Sequence, residues 1–120
     1  MKVKDFVNKI TSENLKDDEG NFISERGLET VYLMRLIERT LVKLLKDNNL
    51  GNVLNIYYRG TGSVMKLYNI NNDKNVYIKI IKYIVRHETI SWYGTTTYYN
   101  LKGFDVQCPD DYTIEQLCKK

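Results

Sequence analysis

The chain has 120 residues, a formal net charge of +3 and 42% hydrophobic residues, which is the composition of one globular domain. No apolar run approaches the roughly 20 residues that a membrane-spanning helix requires, so the sequence excludes a helical membrane protein. Met1–Ile10 is too charged and too short for the apolar part of a secretion signal. We therefore expect a single cytoplasmic domain over residues 1–120, with Cys108 and Cys118 as reduced thiols.

The first fifty residues predict two helices. In Val3–Ile10 the apolar residues recur at helical spacing, which indicates a short amphipathic helix. After a polar loop at Asn14–Asn21, Ser24 is a good N-cap for a long helix that should run to Asp47 and stop before Gly51. The wide apolar arc of the long helix predicts that it is the main core helix.

The other side of the long helix carries basic side chains beside two apolar ones. The ordinary interpretation is a solvated face, on which the long basic stems cover apolar surface. The alternative is a second contact surface or the seam of a homodimer. The residues of this second candidate surface are Tyr32, Arg35, Leu36, Arg39 and Lys43.

From residue 53 onward the apolar pattern changes to a period of two, which predicts β-strands. Short turns separate the strands, so we expect an antiparallel sheet of four to five strands and the fold class α+β. The predicted strands are Val53–Arg59, Val64–Ile70, Val76–Arg86, Thr89–Asn100 (continuous or broken by a bulge at Gly94) and a short edge strand at Phe104–Cys108. A short helix at Tyr112–Cys118, capped by Asp110 or Asp111, should close the chain.

The third predicted strand has two mixed faces. One face would carry Val76, Ile78, Ile80, Lys82 and Ile84, and the other Tyr77, Lys79, Ile81, Tyr83 and Val85. Tyrosines and a lysine on one sheet face are typical of surfaces that stack on bases and contact phosphates. The alternative is that these tyrosines pack beneath the long helix with their hydroxyls at the rim.

Residues 51–104 concentrate the positive charge and the aromatic rings of the chain. They hold seven basic residues against two acidic ones, a net charge of +5, and ten of the fourteen aromatic residues. Such a segment predicts an acidic partner, which is either an acidic protein surface or a nucleic acid or nucleoprotein complex. The candidate binding residues are Arg59, Tyr77, Lys79, Lys82, Tyr83, Arg86, Tyr93 and Tyr98.

The sequence offers no evident catalytic or metal site. His87 is the sole histidine, and its neighbour Glu88 points to the opposite face of a strand, so the two do not form an acid–base pair. The glycine-rich segment 59–63 precedes a strand, whereas a phosphate-binding loop precedes a helix, so a hairpin turn is expected. The acidic clusters at 17–19 and 110–111 lack the spacing of a calcium loop. We expect a non-enzymatic protein without metal or cofactor.

Three further functions stay open at this point. A metal-independent mRNA-cleaving toxin would use Arg59, Tyr83, Arg86 and His87 on the sheet. A small nucleic-acid-binding protein would use the basic and aromatic side chains without cleavage. A structural or assembly protein of a virion would need neither catalysis nor a nucleic-acid site.

The residue usage points to an AT-rich genome. The chain has no alanine but 12 Asn, 11 Ile, 10 Tyr and 13 Lys, all encoded by A/T-rich codons. In its size, this usage and its lack of catalytic motifs, the chain resembles the small accessory proteins of phages and other mobile elements in low-GC bacteria. The resemblance implies an anti-defence or anti-CRISPR-like inhibitor that binds and blocks its target in the bacterial cytoplasm. Because the predicted sheet is basic, it does not resemble the acidic DNA mimics among these inhibitors.

Overall fold

A computed structural model describes residues 1–59 and 62–119, and within these ranges the chain forms four helices and four strands. The elements are α1 (Val3–Asn8), α2 (Ile23–Arg26), α3 (Thr30–Asp47), β1 (Leu54–Tyr58), β2 (Val64–Asn69), β3 (Asn75–Thr89), β4 (Thr95–Gln107) and α4 (Ile114–Leu117). The predicted α+β class is confirmed. The prediction of Gly60 and Thr61 as part of a hairpin turn lies outside the described residues.

The described strands form one antiparallel sheet in the order β1-β2-β3-β4. β2 pairs with β3 only as far as Val64 and Lys79, whereas β3 and β4 stay paired to Thr89 and Thr95. The β3–β4 hairpin therefore continues beyond β2 as an arm, residues 82–101. The arm makes the molecule elongated, with extents of 53 × 25 × 23 Å.

The hydrophobic core lies between the helices and one face of the sheet, which we call the helix face. α3 contacts β1 and β4, and α1 and α2 both contact β4. The helix face buries Leu54, Met65, Leu67, Val76, Ile78, Ile80 and Val106, and α3 buries Leu33, Met34, Leu36, Ile37, Leu41 and Leu45. Burial of each such aliphatic side chain stabilises the fold by roughly 1.5–3 kcal/mol. These side chains belong to one core cluster, so this cluster is the main source of hydrophobic stabilisation.

The predicted long helix Ser24–Asp47 is divided in the structure. Its first turn is α2, and α3 begins only at Thr30. Between them Gly27 has a φ of 70°, and Leu28 exchanges two backbone hydrogen bonds with Tyr99 of β4, at 2.8 and 2.7 Å. Because this bridge holds Leu28 extended beside the sheet, the helix cannot run through it. Ser24 lies inside α2 and is not the N-cap of the long helix.

The predicted fourth strand and edge strand are one strand, β4. A register shift leaves Lys102 as an extra residue on β4, which the sequence pattern shows only as an interruption between two runs. Gly94, with a φ of 105°, belongs to the turn that joins β3 to β4 and is not a bulge inside a strand. The last helix is capped by Thr113, whose hydroxyl accepts a hydrogen bond from the Gln116 amide, and not by an aspartate.

Candidate functional site

One face of the sheet is left uncovered by the helices of the described chain. Along β3 the side chains alternate: Ile78 and Ile80 are buried, whereas Tyr77, Ile81 and Tyr83 are 41–45% exposed. Strand register extends this open face across the sheet. Its residues are Asn55 and Tyr57 of β1, Val64, Lys66 and Tyr68 of β2, Tyr77, Lys79, Ile81 and Tyr83 of β3, and Gly103, Asp105 and Gln107 of β4.

Aromatic and basic side chains form a row across the open face. Lys66 lies directly opposite Tyr57 on β1 and Tyr77 on β3. Its ammonium is 4.9 Å from the centre of the Tyr68 ring, within the range of a cation–π contact. Cross-strand neighbours of this kind have Cβ atoms about 4.5–5.5 Å apart, so the row is a continuous surface.

A hollow of about 320 Å³ lies at the β1–β2 end of this row. The described residues that line it are Tyr57, Tyr58, Arg59, Gly62, Val64, Met65, Lys66 and Tyr77. Most of these residues are aromatic or aliphatic, and two of them, Arg59 and Lys66, are basic. Such a hollow suits an apolar or aromatic group that tolerates a neighbouring positive charge.

The structure places four of the predicted binding residues on or beside the open face. Tyr77, Lys79 and Tyr83 are exposed on β3, and Arg59 is exposed at the end of β1. Lys79 is exposed on the open face, where Asp105 of β4 lies directly opposite it. Among the described residues its ammonium makes none of the ion pairs found in the structure. The sequence left open whether Tyr77 and Tyr83 pack beneath the long helix, and in the structure both side chains are exposed on the other face of the sheet.

Lys82 does not belong to the open face, so the structure does not bring it together with the predicted binding residues Tyr77, Lys79 and Tyr83. Its Nζ points to the helix face, where it donates hydrogen bonds to Thr30 Oγ1 at 3.1 Å and Ser63 Oγ at 2.9 Å. It also lies 4.7 Å from the centre of the Tyr99 ring. Burial lowers the pKa of the Lys82 ammonium, because the charged form is partly desolvated. Lys82 therefore joins α3 to the sheet and does not present a charge to a partner.

Arg86 and Tyr98 are already occupied by contacts within the chain. The Arg86 guanidinium lies 4.1 Å from the centre of the Tyr98 ring, and its Nε donates to Glu88 Oε1 at 3.0 Å. It also donates to the backbone carbonyl of Arg26. The contact with Arg26 joins the arm to the end of α2, and the other two contacts lie within the arm. In this structure Arg86 and Tyr98 contact each other, and Arg86 also contacts Arg26, so they are less available to a partner than the sequence predicted.

Tyr93 lies far from the other predicted residues, at the tip of the arm. Its ring stacks on that of Trp92 with a centroid distance of 4.6 Å and an interplanar angle of 20°. The sequence prediction included Tyr93 but missed Trp92, although Trp92 is 84% exposed. It also missed Tyr57 and Lys66. The sequence shows that side chains alternate along their strands, but only the pairing of the strands shows that Tyr57 and Lys66 lie on the same sheet face as Tyr77.

The second candidate surface on α3 is smaller than predicted. Tyr32, Arg35, Arg39 and Lys43 are exposed, but Leu36 is buried at 6% exposure, which corrects the prediction for that residue. Arg39 donates to Asp18 Oδ1 at 3.1 Å. Arg35 lies 5.4 Å from the centre of the Tyr32 ring. The surface is a helix face whose cations partly contact neighbours of the same chain.

Of the residues suspected of RNA cleavage, Arg59 lies apart from the other three. Arg59 follows the end of β1, which is level with Ile78 of β3, whereas His87 lies nine residues beyond Ile78 and thus roughly 30 Å further along β3. Tyr83 and Arg86 share β3 with His87. The His87 Nδ1 is 3.0 Å from Thr97 Oγ1.

Across residues 1–59 and 62–119, no three His, Cys, Asp or Glu side chains are placed to hold a metal ion. Cys108 and Cys118 are free thiols, and burial raises the pKa of each, which favours the unreactive protonated form.

Comparison with protein-family models, with curated proteins and with solved structures finds no match for this chain. None of the described helices combines the length and apolar character that crossing a bilayer requires. The open face, the hollow and the arm are therefore the features from which a function has to be argued.

Proposed function

We propose that this protein is a non-enzymatic binding protein that acts by occupying an acidic surface of a partner protein with its open face. One observation carries the proposal: the helices leave uncovered the sheet face that bears Tyr57, Lys66, Tyr77, Lys79 and Tyr83. Tyrosine is enriched in protein interfaces because it contributes a rigid, amphipathic contact area. Blocking a target in this way fits the accessory inhibitors of phages and mobile elements that the composition resembles.

The balance of exposed side chains favours a protein over a nucleic acid as the partner. The open face exposes apolar groups at Val64 and Ile81 as well as its tyrosines. Of the four cations predicted to bind, Lys82 and Arg86 are used inside the chain, which leaves Lys79 and Arg59. Binding along a phosphate backbone draws its affinity from many cations, whereas an acidic protein surface needs only a few at the rim of an apolar contact.

Single-stranded nucleic acid is the second candidate. The observation that favours it is the Tyr57–Lys66–Tyr77 row, in which two tyrosines flank a lysine across three strands. Bases can stack on such rings while the cation contacts a phosphate. A virion assembly role stays a prediction, with no feature of the described structure in its favour.

The two candidates are separated by capture of the partner from the source host, with the lysate divided into nuclease-treated and untreated halves. For an acidic protein partner, we expect the same protein in both halves and binding that weakens only moderately with salt. The variant Tyr77→Ala/Tyr83→Ala should lose the partner chiefly through faster dissociation. A partner that disappears after nuclease treatment, with a log–log salt slope of about −0.7 per phosphate contacted, would contradict the protein assignment and support the second candidate.

A further inference from the structure

The tip of the arm is the most exposed apolar feature of the described chain. Trp92 is 84%, Tyr93 78% and Ile90 52% exposed. Monomeric proteins seldom leave a cluster of large apolar side chains in water without an interaction that covers it. The tip is therefore a candidate interaction surface.

The tip has a defined shape. The strands are paired up to Thr89 and Thr95, and the Ile90 amide donates to the Gly94 carbonyl at 3.1 Å. A single turn of 3-10 helix over Ser91–Tyr93 then sets Trp92 against Tyr93 as a stacked pair. Because the rings are held in place before contact, little conformational entropy is lost when the tip enters a cavity. The tip is shaped as a convex knob and fits a concave site.

The charges around the tip argue against phosphate-bearing occupants. Residues 84–99 contain one basic and one acidic residue, Arg86 and Glu88, and these two form an ion pair. Anionic membranes and nucleic acids attract proteins through clusters of Lys and Arg, which this part of the chain does not carry. An apolar cavity in a protein is the better match.

The chain itself supplies such a cavity. The hollow of about 320 Å³ is walled by Tyr57, Val64, Met65 and Tyr77, and its volume lies within the range of about 300–1,000 Å³ that holds drug-sized ligands. Its lining includes Arg59 and Lys66, and an indole is the ring that attracts a cation most strongly. The knob and the hollow therefore match in polarity and in charge.

A tip cannot reach the hollow of its own chain. From Tyr77, which lines the hollow, to Thr89 at the tip there are twelve residues of β3, or roughly 40 Å of paired strand. We propose that the arm tip of one copy inserts into the hollow of a second copy, and that a two-fold axis makes the two insertions reciprocal. With this two-fold symmetry the knob and the hollow of both chains are occupied, so the assembly closes as a dimer, whereas without it the same contact would produce larger assemblies.

The area of this contact is that of a weak dimer. A buried aromatic side chain removes about 150–250 Å² from water. Two rings per tip and two such contacts remove roughly 600–1,000 Å² of aromatic surface from water, which lies below the standard size of a stable interface. The dimer does not depend on the proposed partner, although it would cover Tyr77 and so compete with a partner at that end of the open face.

The test uses two variants of the purified full chain and their mixture. Trp92→Ser/Tyr93→Ser removes the knob but keeps the hollow, and Val64→Asp damages the hollow but keeps the knob. Tyr32→Ser, an exposed ring on α3 outside both features, is the matched control. Molecular mass is measured by light scattering over a range of concentrations, and fluorescence of the single tryptophan reports on the tip.

We expect the wild type and Tyr32→Ser to dimerise, and each of the two test variants to dimerise at least tenfold more weakly. Mixing the two variants should restore one knob–hollow contact, so titration of the Val64→Asp chain with the knobless chain should shift Trp92 emission to shorter wavelengths. A wild type that is monomeric throughout, a dimer that persists in either variant, or larger open assemblies would overturn the proposal. A Trp92 shift with anionic phosphatidylserine vesicles but not with protein would overturn it in favour of a lipid surface.

Discussion

Lys79 and Lys82 lie three residues apart on β3 and point to opposite faces of the sheet. Lys79 is exposed on the open face, whereas the Lys82 Nζ donates to Thr30 Oγ1 and Ser63 Oγ on the helix face. Similar cations in one strand thus have different functions. One is available to a partner, and the other holds α3 and the start of β2 against the sheet.

Substitution by alanine should therefore affect stability at Lys82 and partner binding at Lys79. We expect Lys82→Ala to lower the free energy of unfolding by about 1–2 kcal/mol, because it removes two hydrogen bonds and the packing of the stem. Lys79→Ala should change it by less than about 0.5 kcal/mol, as surface substitutions usually do, yet weaken partner binding. Urea denaturation and partner capture check the two variants side by side. Equal destabilisation by both would show that Lys79 is also a structural residue.

Gly27→Ala should destabilise the protein more than Gly20→Ala. Both glycines have a positive φ, 70° and 85°, so both substitutions strain the backbone by about 1 kcal/mol. Only at Gly27 would the new Cβ meet other atoms, at 3.0 Å from Val85 Cγ2 and 3.1 Å from the Tyr99 carbonyl oxygen. We expect an additional loss of about 1–2 kcal/mol from this overpacking, measured by urea denaturation. A smaller loss at Gly27 than at Gly20 would contradict the close packing of this segment on the arm.

Asp17 should make stability depend on pH in the acid range. The Asn21 amide donates to its Oδ1 at 2.9 Å, and this bond, together with the Glu19 amide and the Arg26 guanidinium, holds the pKa of the carboxyl below its usual value of 3.8. The folded state then binds fewer protons than the unfolded state, so unfolding becomes easier as the pH falls. The contribution is fully present above the unfolded pKa and is lost as the pH drops through the folded pKa.

The check is the urea midpoint of the wild type and Asp17→Asn between pH 2 and 6, a range around the usual carboxyl pKa of about 4. We expect a shallower acid loss in the variant, since asparagine keeps an acceptor oxygen but does not titrate. Parallel curves for the two proteins would show that the Asp17 carboxyl has the same pKa in the folded and unfolded states, and would contradict this account.

His87→Ala should leave partner binding within about twofold of the wild type, because surface substitutions usually cost less than about 0.5 kcal/mol. The imidazole is exposed and contacts Thr97 across the arm, further toward the tip than the residues of the open face. Binding and biological activity of the folded variant are measured together. An activity loss of more than about tenfold with intact binding, equal to about 1.4 kcal/mol in a barrier, would indicate that His87 takes part in a reaction.

The sequence predicted most of the sheet because period-two alternation along β3 is strong. It also separated the two faces of that strand correctly between Val76 and Tyr83, with Lys82 beside Ile78 and Ile80 and with Tyr77 beside Lys79. Val85, which was predicted beside Tyr83, is the extra residue of a register shift and lies close to Gly27. Lys82 was included in the site because residues were selected by charge, although the alternation already showed that Lys79 and Lys82 do not share a face.

Other features depend on contacts that no local pattern contains. The helix break at Gly27 arises from the bridge between Leu28 and Tyr99, which are 71 positions apart in the chain. The hydrogen bond from Arg86 to the Arg26 carbonyl likewise joins two segments that are distant in the sequence, so no local pattern predicts it. Which sheet face stays uncovered also could not be predicted, because both faces of β3 mix apolar and polar side chains. Only the packing of α3 decides it.

The central claim is that the open face binds an acidic partner, and charge reversal with a matched control tests it most directly. Lys66→Glu/Lys79→Glu reverses two cations of the open face, and Arg35→Glu/Lys43→Glu reverses two on α3, so both variants change the net charge equally. The measurement is the amount of partner captured by each folded variant relative to the wild type. We expect at least a tenfold loss for the open-face variant, about 1.4 kcal/mol, and little change for the α3 variant. Unchanged capture by Lys66→Glu/Lys79→Glu together with loss in Arg35→Glu/Lys43→Glu would contradict the account and move the interface to the helix.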